Sequence, residues 1–467
     1  MTSVPPPGGE DLTTTTAQAL EPLSRRLLQI AGGLSVLLIV LVVFAWMHGG
    51  SSESSLNPIA EAAARTQQAS GARLAVHYEY TYQSPLRTIS ATGEGVYNGK
   101  TGRSRLSVSV PIPNGNLELE GVGDSRTAYL RSDAFKAGLP PGDEWMGIEV
   151  GLANSAETSA AGSSDLKAQL DQLRAVSGGV ETLGQEEVRG VETTRYRSSF
   201  DLADYASYLR RQGSRVAAQQ YERVAKAVPT HNEVEVWVDA NDLVRRVKIR
   251  TIYLKPKPAQ PRIADMTIEY FDFGITPAVR LPGPGTVFDM TPVARAELGL
   301  LDGSSEMPPL SSPHPLSSRA FHSRARALCA STEKQLARMK KRGQPAIERM
   351  KRTVRRDGLK ARATLEAFRA ATSAYYEPAL RKARRALRRL ARLAPPPSAA
   401  PQYKRLVRIS ARSLEIDLAE TRAAEIGQFA LAHRLSTRLR RLEKRSKRLA
   451  RQIGLQACED GEATTSP

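Results

Sequence analysis

The chain has 467 residues, and its densest cluster of potentially reactive groups is GEGVYNGKT at 93–101, which carries the Gly-Lys-Thr ending of a phosphate-wrapping loop. Such a loop needs Gly-x-x-x-x-Gly-Lys-Ser/Thr so that successive backbone amides face the phosphates. Counting back from Gly99, Lys100 and Thr101 puts Glu94 where the first glycine belongs, and an acidic side chain there repels phosphate. A hairpin turn at Asn98-Gly99 explains the same residues, because both tolerate the positive φ of a two-residue turn. No HExxH, Gly-x-Ser-x-Gly or His-Cys pairing occurs, and the six histidines are scattered. His77 and His231 fall on polar strand faces, and Glu186-Glu187 is too ordinary a pair to imply acid–base catalysis. Neither Cys329 nor Cys458 has a Cys or His neighbour at zinc-site spacing. The chain reads as a non-enzyme, with no metal and no cofactor.

The pattern that does carry chemistry is apolar and aromatic. Along 72–82 the even positions are Leu74, Val76, Tyr78, Tyr80 and Tyr82, while the odd ones are mostly polar. Period-two alternation marks a strand with one buried face. Leu106, Val108 and Val110, Leu117 and Leu119, Val234, Val236 and Val238, and Met266, Ile268 and Tyr270 repeat it. An ordinary core covers such faces. A curved sheet with few covering helices instead leaves an apolar cavity large enough for acyl chains, with Tyr78, Tyr80, Tyr82 and Tyr270 supplying hydroxyls near its mouth.

The elements that position these faces follow from periodicity. A helix is expected at 57–70, then strands at 72–82, 86–97, 102–110, 117–122 and 126–131, a short helix at 165–175, and strands at 180–188 and 191–200 turning at Arg189-Gly190. A helix at 202–228 and strands near 233–238, 243–254 and 262–273 follow, with Asn241-Asp242 between the first two. About ten sequential strands with inserted helices predict an α+β domain built on a strongly curved antiparallel sheet.

Upstream, 27–47 is free of charge and long enough to span the roughly 30 Å hydrocarbon layer at about 1.5 Å per residue. Arg25-Arg26 precede it, and no Lys or Arg follows until Arg65, so the amino terminus is expected in the cytoplasm and the bulk outside it. A cleaved signal peptide would have a shorter core with small residues before the cut, whereas this one ends Phe44-Ala45-Trp46-Met47. A lipoprotein signal would need a Cys there. A buried soluble helix is rarely apolar on every face. The expected layout is a disordered tail at 1–26, a membrane anchor at 27–47, a linker at 48–56, the sheet domain at 57–290, a Pro/Ser-rich linker at 291–316, a helical bundle at 317–460 and a tail at 461–467.

The formal charge of +19 is uneven. From Arg319 onward there are 37 basic and 13 acidic residues, against 30 and 35 in the rest. Helices are expected near 317–342, 345–371, 376–394, 402–428 and 430–454, with Pro345 starting one and Pro395-Pro396-Pro397 forcing a break. Ile409, Ile416, Ala423 and Ala430 form one apolar stripe, and Leu435, Leu439, Leu442, Leu449 and Ile453 another; an antiparallel bundle covers both. The basic faces are a solvated exterior or a surface for anionic lipid head groups or acidic wall polymers. Nucleic acid is disfavoured by the extracytoplasmic location and by the lack of aromatics on those faces. Cys329 and Cys458 bracket the bundle, and outside the cytoplasm they are expected to pair.

The sequence GQEEVRGVETTRYRSSFDL at 184–202, with VEVWVDANDLVRRVKI at 234–249 and the DFG at 272–274, resembles the LppX/LprG group of actinobacterial lipoproteins over about 57–290. The resemblance implies a LolA-like half-barrel that holds membrane lipids or lipoprotein acyl chains between sheet and helices. This chain lacks the lipobox Cys, so a transmembrane segment would replace the lipid anchor and favour handover or sensing at the membrane surface. An alternative is a non-catalytic envelope interaction or stress-sensing protein, as in the RseB regulators. The C-terminal region resembles small extracytoplasmic helical domains of actinobacteria, through its early Cys, Pro345, Leu393-Ala394-Pro395-Pro396, Tyr403 and Gly454-Leu455-x-x-Cys458; the likeness supports a Cys329–Cys458 bridge and no more.

Overall fold

The computed structural model describes residues 58–455, leaving aside 84–85, 113–114, 125–126, 137, 150–178, much of 202–228, 257–260, 298–300, 302–314 and 360–361. The membrane-anchor expectation at 27–47, the 165–175 helix, most of the 202–228 helix and Cys458 therefore lie outside the described residues. Among those described, no helix is long and apolar enough to cross a membrane.

The first helix, α1 (Pro58–Gln68), has Glu61 in its first turn and Arg65 in its last, where each charge complements the helix dipole. The meander β1 (Gly71–Gln83), β2 (Leu86–Asn98), β3 (Arg103–Ile112), β4 (Gly115–Gly123), β5 (Thr127–Arg131) follows, and after a four-residue helix α2 (Asp133–Lys136) it ends in β6 (Trp145–Glu149). A second meander, β7 (Glu181–Val188), β8 (Val191–Phe200), β9 (Thr230–Asp239), β10 (Val244–Tyr253), β11 (Ile263–Phe271), returns to pair β11 with β1. With β12 (Val287–Asp289) the described residues form one curved twelve-stranded sheet, ordered β12-β6-β5-β4-β3-β2-β1-β11-β10-β9-β8-β7. The α+β class and the expected strands are present. Two strands were not expected, and one of them makes the sheet mixed: β12 runs parallel to β6, as close as Gly147 permits, for a Cβ there would stand 2.7 Å from Val287 Cγ1.

Turn chemistry matches expectation in one hairpin and departs from it in another. Arg189 and Gly190 both take positive φ, 51° and 77°, the two-residue turn predicted between β7 and β8. Between β2 and β3 the Asn98-Gly99 pair does not turn the chain alone. Asn98 and Arg103 face each other across a four-residue loop closed by the Asn98 carboxamide, which accepts from Thr101 N at 3.0 Å, and by Gly102 at φ 60°.

After β12 come α3 (Thr291–Glu297), α4 (Ser318–Asp357), α5 (Arg362–Ala371), a π-helical turn Thr372–Tyr376, α6 (Glu377–Ala391), α7 (Ala400–Glu425) and α8 (Phe429–Gln452). Pro345 does not start a helix, as expected from sequence, but lies inside the 40-residue α4. Its ring is exposed, so the carbonyl one turn back that loses its N–H partner is open to water. Two residues earlier Gly343 is buried against the π-helical turn, where a Cβ would stand 2.6 Å from Tyr375 Cβ. The heptad stripe holds at Ile416 and Ala423, both fully buried, but Ala430 is exposed because the chain reverses at Gly427 (φ 77°).

Part of the stretch expected to be linker is structured: Thr291–Glu297 forms a helix directly after β12, and Leu301 is buried. Phe288, Met290, Val293 and Leu301 are each at most 2% exposed and join a core that runs from the sheet into the bundle. Arg369 of α5 donates to Gly138 O at 2.6 Å, Arg295 of α3 pairs with Glu415 of α7 at 3.6 Å, and Arg422 stacks over Phe288 at 5.1 Å. Sheet and bundle share one seam.

Candidate ligand-binding site

The strand parity read from sequence puts the tyrosines together. Tyr78, Tyr80 and Tyr82 project from β1 to the same face as Tyr270 of β11, and none exceeds 8% exposure. Tyr78 and Tyr80 stack with centroids 6.3 Å apart. Leu106, Val108 and Val110 of β3, Leu119 of β4, Val234, Val236 and Val238 of β9, and Met266 and Ile268 of β11 share the buried core, with Leu117 only partly buried at its margin. All the residues singled out from sequence thus occupy one apolar core. Two further tyrosines, Tyr97 of β2 and Tyr253 of β10, belong to the same core and escaped notice because each stands alone in its strand.

The face is graded along β1. At one end Gly95 and Gly93 of β2 pair with Leu74 and Val76, and a Cβ on Gly93 would stand 2.9 Å from Val108 and 3.0 Å from Val76. Side chains there close over the glycines. Toward the other end Ala91 lies opposite Tyr78, Ile89 opposite Tyr80, and Arg87 opposite Tyr82, with the Arg87 guanidinium 4.7 Å over the Tyr82 ring. Helix α1 covers the β9–β10 side through Ile59 and Ala62, pinned where Thr66 Oγ1 accepts from Val244 N at 2.8 Å.

Burial raises the pKa of Tyr78, Tyr80 and Tyr270, and neighbouring tyrosines raise it further, so all three are neutral phenols that can donate and accept. Tyr78 Oη is buried and has no hydrogen-bond partner among the described residues. An unmet buried hydroxyl costs about 1–3 kcal/mol. Ser104 Oγ of β3 and Ser198 Oγ of β8, on the same face, are likewise buried without a partner among the described residues, so this face offers several hydroxyls for a hydrogen bond, with Tyr78 Oη belonging to the stacked tyrosine pair. Among the described residues no group of three His, Cys, Asp or Glu side chains is placed to hold a metal.

The opposite face carries paired charges. Glu235 accepts from Arg195 at 2.7 Å and from Arg197 at 3.0 Å; Arg246 reaches Glu269 at 2.8 Å and Glu186 at 3.0 Å; Arg195 and Arg246 flank the ring of buried Trp237. The arginines hold the Glu235 and Glu269 carboxyls below the usual carboxylate range even though burial opposes them. Glu186 was passed over in the sequence as an ordinary acid; its role is structural. His77 is exposed as expected, and His231 is half-buried with Nδ1 3.0 Å from Asp201.

In the bundle, α7 buries four acids, Glu415, Asp417, Glu420 and Glu425, each at most 5% exposed. At the seam burial pushes the Glu425 carboxyl up despite Arg422 at 2.8 Å, and it pushes Asp143 up as well. The helical pattern of α7 hid these acids, because a polar residue in an amphipathic sequence reads as exposed. Cys329, on α4, is not a free thiol.

No family model matches the chain. An uncharacterized 31.2 kDa protein in the rplA-rplJ intergenic region of Streptomyces griseus is 26% identical over 207 residues, covering 41% of this chain and 67% of that protein. Among solved structures, the chain is similar to the lipoprotein LppX of Mycobacterium tuberculosis, with 12% identity and a TM-score of 0.27 over 48% of this chain and 96% of that one. It is similar to LprF of Mycobacterium bovis at 12% and 0.24, over 49% and 95%, and to a putative outer membrane lipoprotein-sorting protein domain of Vibrio parahaemolyticus at 7% and 0.20, over 46% and 89%.

Proposed function

We propose that this chain is a non-catalytic protein of the cell envelope that holds a lipid or lipoprotein acyl chain against the tyrosine-lined face of its sheet. The observation that carries the reading is Tyr78 Oη, a buried hydroxyl with no partner among the described residues, set among the apolar and aromatic side chains of this face. An acyl chain bearing an ester or hydroxyl meets both needs, apolar cover for the strands and a hydrogen bond for the phenol. In this account 27–47 anchors the chain in the membrane with its bulk outside the cytoplasm, Cys329 pairs with Cys458, and the basic faces of the bundle lie against anionic lipid or wall polymer.

Native mass spectrometry of the full chain extracted in mild detergent tests the core of the proposal. A bound lipid mass that leaves only on unfolding supports it, and a bare polypeptide mass refutes it. A second reading, an envelope interaction or sensing protein filled by its own side chains, is favoured by the closure of Val76 and Val108 over Gly93. The bare mass is its expected result.

A further inference from the structure

One end of the sheet changes character within two rows of residues. On the outer face the row at Glu79, Asp265, Arg250 and Glu233 is charged, with Arg250 and Asp265 paired at 2.8 Å. The next row is Thr81, Ile263 and Ile252. Beyond it stand Leu86, at the start of β2, and Leu254, just past β10; they are 80% and 58% exposed, the two most exposed large apolar side chains described. Strands β2, β1, β11 and β10 lie in that order at roughly 4.8 Å spacing, so the two leucines are prongs about 15 Å apart on one rim.

Cations accompany them. Arg87 pairs with Tyr82 across the β1–β2 hairpin, Arg262 N donates to Thr81 O, and Lys255 follows Leu254; all three side chains are exposed and none has an ion-pair partner among the described residues. Of the acids on neighbouring strands, Asp265 is paired with Arg250 and Asp201 with His231. Elsewhere on this outer face arginines stand beside carboxylates.

We infer that this rim docks on an anionic phospholipid surface, with Leu86 and Leu254 entering the acyl region and Arg87, Arg262 and Lys255 meeting lipid phosphates. Apolar prongs beside unpaired cations are the chemistry of a bilayer interface, where basic residues gain from the surface potential and leucines from burial. A second copy of the chain would present the same cations and be repelled. The inference goes beyond the lipid-holding proposal and does not need it, since a rim can dock whatever fills the face behind it.

The test uses the full chain carrying Leu86→Cys or Leu254→Cys, spin-labelled without reductant and mixed with phosphatidylcholine vesicles with or without phosphatidylglycerol. On phosphatidylglycerol vesicles both labels should gain collisions with oxygen and lose collisions with a water-soluble nickel chelate. A label at Arg73→Cys, near the far end of β1, should stay in water. Adding Arg87→Gln, Arg262→Gln and Lys255→Gln should abolish the gain in oxygen collisions that phosphatidylglycerol gives at the labels on 86 and 254. Labels at 86 and 254 that remain water-exposed on every vesicle would overturn the inference, as would immobilisation without vesicles, which assigns the rim to a second copy. Native mass spectrometry reads the interior separately, so failure of one proposal is distinguishable from failure of the other.

Discussion

Replacing Tyr78 by Phe removes one oxygen atom, and the proposed lipid-holding role gives that atom opposite values without and with lipid. In the empty protein the hydroxyl is buried with no partner among the described residues, so its removal relieves a penalty of about 1–3 kcal/mol and should stabilise the chain by up to that amount. With a lipid bound, the same hydroxyl is expected to make one hydrogen bond, whose net worth is about 0.5–1.5 kcal/mol, so the variant should bind about 2- to 13-fold more weakly. Urea unfolding of delipidated Tyr78→Phe and parent protein reads the first effect, and competition for a fluorescent fatty acid reads the second. Tyr403→Phe is the control of opposite sign: Tyr403 is buried but donates to Leu390 O at 2.5 Å, so that variant should lose about 1 kcal/mol. A delipidated Tyr78→Phe protein less stable than its parent by a similar amount would mean that the hydroxyl already has a partner within the chain, and the lipid-holding reading would lose the observation that carries it.

Four further outcomes follow from packing, charge and the cysteine pair. Gly343→Ala should destabilise the bundle by about 1–2 kcal/mol, because overpacking against Tyr375 exceeds the roughly 1 kcal/mol that alanine gains over glycine in a helix; a gain on thermal or urea unfolding would contradict the close approach. The Glu425 pKa is raised in the fold, so its contribution is fullest below the ordinary glutamate value of 4.5 and is lost as pH rises through the higher folded value. The stability of the parent relative to Glu425→Gln should therefore fall with rising pH. Glu235 is lowered, so its contribution is present above 4.5 and lost as pH falls through the depressed value, and the parent's advantage over Glu235→Gln should rise with pH across the acid range; parallel slopes for the two variants would refute the assignment. Alkylation of the denatured, unreduced chain should find no thiol at Cys329 or Cys458, and reduction should cost about 4–5 kcal/mol from a loop of this length, whereas alkylation without reductant would rule out the pairing.

Much of the sheet was legible because parity leaves a plain mark. In β1 every even position from Leu74 to Tyr82 is buried, and the expected strand ends fall within one residue of those observed. Strands β6 and β12 were not legible: β6 breaks strict alternation, with Gly147 and Ile148 buried side by side, whereas β5, of the same length, keeps it, and β12 has three residues directly after the Pro-Gly-Pro-Gly of 282–285. The seam was hidden too, since Phe288 and Val293 are single apolar residues whose partners lie far along the chain. Pro345 misled because the rule that proline starts helices considers only the lost N–H, whereas an exposed proline lets water satisfy the freed carbonyl. The tyrosine face could be read from the sequence as a set of residues. The stranded hydroxyl of Tyr78 could not, because whether a buried oxygen has a partner depends on neighbours from other strands.

The central claim is that an acyl chain lies against β1 and its neighbours, and photo-crosslinking tests it most directly. A diazirine-bearing fatty acid is bound to the full chain, irradiated, and its adducts mapped by peptide mass spectrometry. The account predicts labelling within β1 and β11, centred on Tyr78, Tyr80 and Met266. Adducts confined to the helical bundle, or no adducts at saturating probe, would contradict it.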